Sequence, residues 1–182
     1  MPTFNTAPPL GGSAKDVIEY GMQNQREEDT KRILGLLYSE HAEIYVSSAA
    51  ATTISSTSEF YQAAGTYTLS IDHENWEMKT NGRLRYIGKS PRMLHIATSF
   101  SVTCAANNQI IHIGTSKNGS VLIPSVVMRK IGTGADIRWG TGHAMTSIVN
   151  GDYLTIVVKN ASSAANVTFE TANLTIVSMA MK

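Results

Sequence analysis

Histidine side chains are the groups in this sequence that could bind a metal ion or act as bases. They are His41, His73, His95, His112 and His143. Neutral imidazole is a common zinc ligand and a common general base. A metal site would form if His112 and His143 faced one another with Asp136 nearby, but nothing in the spacing requires this arrangement. The alternative is that the histidines are ordinary residues of strands and strand ends, and on this interpretation we predict no metal site.

Within residues 42–182, carboxylates are densest at Asp72, Glu74 and Glu77, which surround Trp76. Two carboxylates can serve as acid and base in glycoside hydrolysis, and a group of them can hold calcium. A solvated loop anchored by its tryptophan explains the same residues without any chemistry. We favour the loop, with Trp76 as a candidate contact residue.

Sequence motifs of the common enzyme classes are absent. The chain has no phosphate-binding Gly-Lys-Ser/Thr loop, no dinucleotide fingerprint, no Gly-x-Ser-x-Gly elbow and no His-Glu-x-x-His helix. Residues 132–134 and 140–142 contain paired glycines, but each pair lies between predicted strands, which favours a hairpin or loop over an anion site. We therefore expect a protein that is not an enzyme, with no catalytic residues, no cofactor and no metal.

A second contact candidate is the pair Arg138-Trp139, which we place in a glycine-rich loop. Arginine and tryptophan are enriched at the energetically important positions of protein interfaces. The pair is either a contact patch or a loop held in place by its tryptophan. It is the best single candidate for a partner contact.

Overall charge gives no indication of a charged partner. Charged residues make up 16% of the 182 residues, and the formal net charge is +1. We therefore predict no binding to nucleic acid or to a membrane. The sequence has no long apolar run and begins without the features of a signal peptide, so we expect folding in a reducing cytoplasm. In that setting Cys104 is predicted to be a small buried apolar residue.

The elements that must position these residues begin with an N-terminal appendage. Residues 1–12 hold three of the five prolines and a Gly-Gly pair, and they are predicted to form an extended arm. Ser13 and Asp16 mark the start of a helical segment over residues 13–41. Its middle is polar, which is typical of a stalk, although a helix lying on the following domain fits equally well. The candidate contacts with another subunit are Phe4, Leu10, Val17 and Ile18.

Residues 42–182 are predicted to form an antiparallel β-sandwich of the jelly-roll type, because apolar residues alternate there and Asn-Gly and Gly-rich turns separate the runs. The predicted strands are Glu43–Ser47, Gly65–Ile71, Arg83–Ile87, Met93–Thr103, Gln109–Lys117, Val121–Lys130, His143–Val149, Tyr153–Lys159 and Val167–Met181. In the last strand, Leu174, Ile176 and Met179 are candidates for a trimer interface, with the core as the alternative. The fold class is therefore mainly β, preceded by the arm and the helix.

Short motifs in the last hundred residues carry a resemblance to a known family. Lys117-Asn118-Gly119 stands at a predicted hairpin, and Gly151-Asp152-Tyr153 stands just before a strand. This pattern resembles the jelly rolls of tumour necrosis factor and complement proteins, and especially their relatives among the virion proteins of tailed bacteriophages. The resemblance implies a homotrimeric jelly roll.

The resemblance implies a virion protein that is assembled in the host cytoplasm. The first hypothesis is a capsid decoration, cement or head-fibre protein that binds the major capsid protein or other virion subunits through its N-terminal region. The second is a tail-fibre or receptor-binding protein that recognises a host surface glycan or protein, with Trp76, Arg138 and Trp139 in contact with the ligand. A glycan hydrolase built on a β scaffold is the third.

Overall fold

The computed structural model describes residues 21–27, 29–30, 41–70, 75–133 and 136–179. The chain divides into two units, Met1–Ser39 and Glu40–Lys182. In the first unit, residues 21–27 and 29–30 are helical. The predicted arm with its contact candidates Phe4 and Leu10, and the candidates Val17 and Ile18 of the helical segment, lie outside the described residues. Within the described residues, no helix has the length and apolar character needed to cross a membrane.

The second unit is built from strands joined by turns. The strands are β1 (His41–Ala49), β2 (Ala51–Thr52), β3 (Tyr61–Gln62), β4 (Gly65–Leu69), β5 (Trp76–Thr80), β6 (Arg83–Tyr86), β7 (Arg92–Cys104), β8 (Gln109–Lys117), β9 (Ser120–Val121), β10 (Val127–Ile131), β11 (Arg138–Ile148), β12 (Tyr153–Asn160) and β13 (Val167–Met179). A 3-10 turn, Ile123–Ser125, separates β9 from β10. Strand β1 begins at His41, a residue that the sequence analysis assigned to the end of the helical segment.

The strands of the described residues form two antiparallel sheets. The first sheet has the order β11-β7-β13-β1-β4, with β2 beside β13. The second has the order β10-β8-β12-β6-β5, with β3 beside β12 and β9 beside β8. This arrangement confirms the predicted antiparallel sandwich.

The core lies between the two sheets, and alternation along the long strands supplies it. In β7 the inward side chains include Leu94, Ile96, Phe100 and Val102, all nearly or fully buried. The register of β13 against β7 shifts between Phe169 and Thr171, so the alternation resets and Ala172 also points inward. Burying each large apolar side chain stabilises the fold by about 1.5–3 kcal/mol.

Trp76 lies in a strand, so the prediction that it anchors a solvated loop is wrong. It begins β5, its side chain is only 3% exposed, and its ring lies 5.0 Å from the ring of Tyr86 on the neighbouring strand β6. A tryptophan buried in this way is a core residue. It is not available as a loop contact.

A second predicted loop is also a strand. Strand β11 contains Arg138, Trp139, Gly140 and Gly142, which were expected to form a glycine-rich loop. A Cβ at Gly140 would lie 2.8 Å from Cζ of Phe100, and one at Gly142 would collide with the carbonyl oxygen of Ser125. These glycines allow close packing of β11 and do not form a turn. The predicted strand Val121–Lys130 is likewise interrupted by the 3-10 turn that presents Ser125.

Candidate interaction face

The outer surface of the first sheet is the candidate functional site, and we call it the neutral face. It is defined by the outward side chains of β11 (Trp139, Thr141, His143, Met145, Ser147), β7 (Met93, His95, Ala97, Ser99, Ser101, Thr103), β13 (Glu170, Thr171, Asn173, Thr175, Val177) and β1 (His41, Glu43, Tyr45). Within this set the only acidic residues are Glu43 and Glu170, and there is no lysine or arginine. The rest are apolar, small and polar, or histidine.

Large apolar side chains are exposed on this face. Trp139 is 74% exposed, Met145 is 58% exposed and Val177 is 37% exposed. Met145 is the cross-strand partner of His95, which in turn is the partner of Val177, so these residues form a row across three strands. Exposed apolar residues grouped on one surface are typical of a contact site.

Polar side chains of the neutral face largely bond to one another. The hydroxyls of Ser101 and Thr171 are 2.7 Å apart, and the Thr175 hydroxyl donates to Oδ1 of Asn173 at 2.7 Å. Such pairs can be covered by another protein with little loss of hydrogen bonds to water. The face can therefore be exposed to solvent or be buried in a protein contact.

Trp139 is held by its backbone while its ring remains in solvent. Nε of Arg129 donates to the carbonyl oxygen of Trp139 at 2.9 Å. Next to it, Nη2 of Arg138 lies 3.3 Å from Oδ2 of Asp136. The backbone N–H of Thr133 donates to the same carboxylate at 3.0 Å and is the largest of the interactions that lower the pKa of Asp136. Rigid support of an exposed aromatic ring lowers the entropy cost of a contact made there.

His112 and His143, which were considered as ligands of a metal site, lie on different sheets. His143 stacks on His95, with ring centroids 5.4 Å apart on the neutral face. His112 lies in β8 of the second sheet, opposite Lys159, and burial together with the Lys159 charge lowers the pKa of His112. Among the described residues, no three metal-binding side chains come together.

The candidate trimer-interface residues of β13 divide into two cases. Leu174 and Ile176 are fully buried in the core of the single chain, so they are not surface contacts. Met179 ends the strand, and its side chain lies outside the described residues. The outward residues on the same strand were missed because a two-residue period fixes which residues alternate but not which set faces the core.

The two short motifs noted in the sequence meet in the structure. Asn118 and Gly119 form the β8–β9 turn with positive φ angles of 52° and 82°. The Asn118 side chain donates to Oδ1 of Asp152 at 2.6 Å and accepts from the Tyr153 N–H at 2.9 Å. Nζ of Lys117 lies 3.5 Å from Oδ2 of Asp152. These motifs therefore join two turns, which is a structural role.

Comparison with known proteins identifies the architecture as a jelly roll. No family model and no curated protein matches the sequence. Among solved structures, Eiger TNF from S. frugiperda matches with a TM-score of 0.51 and 8% identity, over 79% of this chain and 94% of that chain. Murine APRIL at pH 5.0 gives a TM-score of 0.48 and 10% identity over 77% and 100% of the two chains. The globular domain of the zebrafish complement 1qA protein gives 0.45 and 9% over 75% and 94%. The Eiger TNF match shows the fold alone: the chain has a two-sheet jelly roll like that of this domain, which confirms the predicted fold class.

Proposed function

We propose that the jelly roll is the subunit of a homotrimer and that its neutral face forms the subunit contacts. The observation that carries this proposal is the difference between the two sheets. Both sheets expose large apolar side chains, which are Trp139, Met145 and Val177 on the first and Ile110 and Met128 on the second. The difference lies in charge, because the neutral face holds few charged residues whereas the second sheet exposes Arg83 and Arg85. Depletion of charge together with exposed aromatic and methionine side chains is typical of the centre of a protein interface.

We further propose that the trimer is a structural, non-enzymatic component of a virus particle, of the capsid decoration, cement or head-fibre type. The Lys117–Gly119 and Gly151–Tyr153 motifs support this proposal through their resemblance to bacteriophage virion proteins. In this arrangement the N-terminal region binds the major capsid protein or other virion subunits through Phe4, Leu10, Val17 and Ile18. The jelly roll then projects outward, and assembly takes place in the host cytoplasm.

The test is the copy number of the protein in purified particles, measured by quantitative mass spectrometry against the major capsid protein. A decoration protein covers a shell, so we expect hundreds of copies in each particle. A handful of copies would instead place the protein in the tail. Absence from particles would contradict a virion role altogether.

The alternative function is receptor binding by a tail-fibre tip that recognises a host surface glycan or protein. The rigidly supported and exposed Trp139 favours it, because such rings are common binding anchors. Under this alternative, Trp139→Ala reduces adsorption to host cells without changing particle composition. Met128→Ala is the matched control, since Met128 is also well exposed, at 63%, but lies on the second sheet. Equal adsorption by both variants and the wild type would rule the alternative out.

A further inference from the structure

A basic depression on the outer surface of the second sheet is separate from the neutral face. It has a volume of about 330 Å³ and is lined by Lys79, Thr80, Arg83, Arg85, Gly151 and Tyr153. We call it the basic cleft. Its volume falls at the lower end of the range of about 300–1,000 Å³ that is typical of small-molecule sites.

Strand register places the cations side by side. Arg85 of β6 stands between Glu77 of β5 and Tyr153 of β12, its two cross-strand partners. Because Arg83 is two residues before Arg85 on the same strand, both side chains leave the same face of the sheet. Three positive side chains therefore converge on one depression, although the chain as a whole carries a net charge of only +1.

One carboxylate neutralises part of this charge. Glu77 lies 3.4 Å from Nζ of Lys79 and 3.4 Å from Nη1 of Arg85. Arg83 differs from these two cations, because its contacts are Oε1 of Gln62 at 3.4 Å and the ring of Tyr153, 4.8 Å from the centroid. Neither contact is anionic, and no ion pair to Arg83 occurs within the part of the chain that the structure describes. The cleft thus keeps an excess of positive charge at Arg83.

A second depression of about 130 Å³ adjoins the first and shares Arg83 and Tyr153 with it. Its lining combines the ring of Phe60, over which Nζ of Lys159 lies 5.0 Å from the centroid, with polar groups such as Gln62. A small anion would occupy only part of the first depression, whereas the second offers hydrogen-bonding groups to the remainder of a larger polar ligand. A nucleic acid would need a basic track longer than this local cluster.

We propose that the basic cleft binds an acidic saccharide, with Arg83 and Arg85 holding its carboxylate or phosphate group and Tyr153 contacting the sugar with the side of its ring that Arg83 does not cover. Guanidinium groups bind carboxylate and phosphate with two parallel hydrogen bonds, which gives both strength and orientation. The proposal is independent of the trimer and of the virion role, since Arg83, Arg85 and Tyr153 all lie on the second sheet of one chain.

The test is isothermal titration calorimetry of the full chain with defined probes. Trigalacturonate supplies a carboxylate, and its methyl ester keeps the sugar without the charge. Glucose 1-phosphate supplies a phosphate, and inorganic phosphate supplies the anion without the sugar. We expect trigalacturonate or glucose 1-phosphate to saturate the protein with a Kd below about 10 mM, weakening at high salt. Which of the two binds identifies the anionic group.

Substitutions inside and outside the cleft test whether the probes bind there. Arg83→Gln is expected to weaken binding at least about tenfold, the usual cost of losing a charged hydrogen bond. Lys79→Gln, at a side chain that is 72% exposed, is a second cleft variant with little effect on folding. Lys130→Gln removes the same charge from an exposed site outside the cleft lining and should bind as the wild type does.

Four results would overturn the proposal. They are the absence of saturable binding by both acidic probes, equal binding of the methyl ester, equal binding of inorganic phosphate, and unchanged affinity in Arg83→Gln.

Discussion

At the scale of single residues, Asp152 combines hydrogen bonds with an ion pair. Its carboxylate accepts from the Asn118 side chain at 2.6 Å and from the Val149 N–H at 3.0 Å, and it lies 3.5 Å from Nζ of Lys117. Burial opposes ionisation, but the hydrogen bonds and the lysine charge outweigh it, so the pKa of Asp152 is lowered. The ionised carboxylate therefore stabilises the folded state.

This lowered pKa predicts how stability changes with pH. Because the folded-state pKa lies below the unfolded value of about 3.9, the contribution is complete above that value and is lost as pH falls through the folded pKa. Asp152→Asn should lower the free energy of unfolding by about 1–3 kcal/mol at pH 6, and the difference should shrink toward pH 2. Urea denaturation at both pH values measures it.

A matched control for this variant is Glu59→Gln. Glu59 is exposed and accepts one hydrogen bond, from the Tyr61 hydroxyl at 3.3 Å. Its substitution should change stability by less than about 0.5 kcal/mol at pH 6. If Asp152→Asn cost the same at pH 6 and pH 2, the assignment of this acid-sensitive contribution to Asp152 would be incorrect.

At the scale of elements, the contact between β11 and the 3-10 turn depends on residue size. Gly142 faces the carbonyl oxygen of Ser125, and the hydroxyl of Ser125 accepts from the Thr115 N–H at 2.8 Å and donates to the Leu122 carbonyl oxygen at 2.7 Å. The turn is thus fixed by hydrogen bonds between the Ser125 hydroxyl and backbone groups, and it cannot easily move away. Any side chain at residue 142 would have to displace it.

Gly142→Ala should therefore destabilise the jelly roll by about 1–3 kcal/mol, the usual cost of overpacking. Thermal or urea unfolding of the purified variant checks this. Gly21→Ala is the control, since a Cβ at Gly21 meets no atom within 4 Å, and no loss of stability is expected there. Wild-type stability in Gly142→Ala would show that the turn adjusts freely.

Strands were predictable where alternation was long and uninterrupted. The prediction for β8 has the observed bounds, and those for β7 and β12 miss the observed ends by at most one residue, because inward residues such as Ile96, Ile113 and Ile156 recur every second position. Gly140 and Gly142 led to a wrong turn prediction, because a sequence does not reveal that a glycine is needed for packing. Trp76 was misplaced because the charged residues around it resemble a loop.

The candidate sites were less predictable than the strands. Trp139 was chosen as a contact candidate from its residue type, and it is exposed in the structure, while its contact role stays a prediction. Met145 and Val177 were missed, since their exposure depends on which side of the sheet faces the core. The basic cleft combines residues of β5, β6 and β12, and only the register of these strands reveals that Lys79, Arg83 and Tyr153 line one depression.

At the scale of the whole molecule, the two sheets of the sandwich have surfaces of different character. The first sheet carries the neutral face, which suits contact with another copy of the chain. The second carries the basic cleft, which suits a small acidic ligand. In this account, a subunit contact through the neutral face leaves the cleft of each copy accessible, so assembly and ligand binding can coexist.

The most direct test of the central claim is the mass of the full chain in solution, measured by sedimentation equilibrium. We predict three times the chain mass of 19.7 kDa for the wild type. Met145→Glu places a charge at an exposed position of the neutral face and should shift the protein to monomers without unfolding it. Met128→Glu adds the same charge to the second sheet and should remain trimeric. A monomeric wild type, or a trimer that Met145→Glu leaves intact, would contradict assembly through the neutral face.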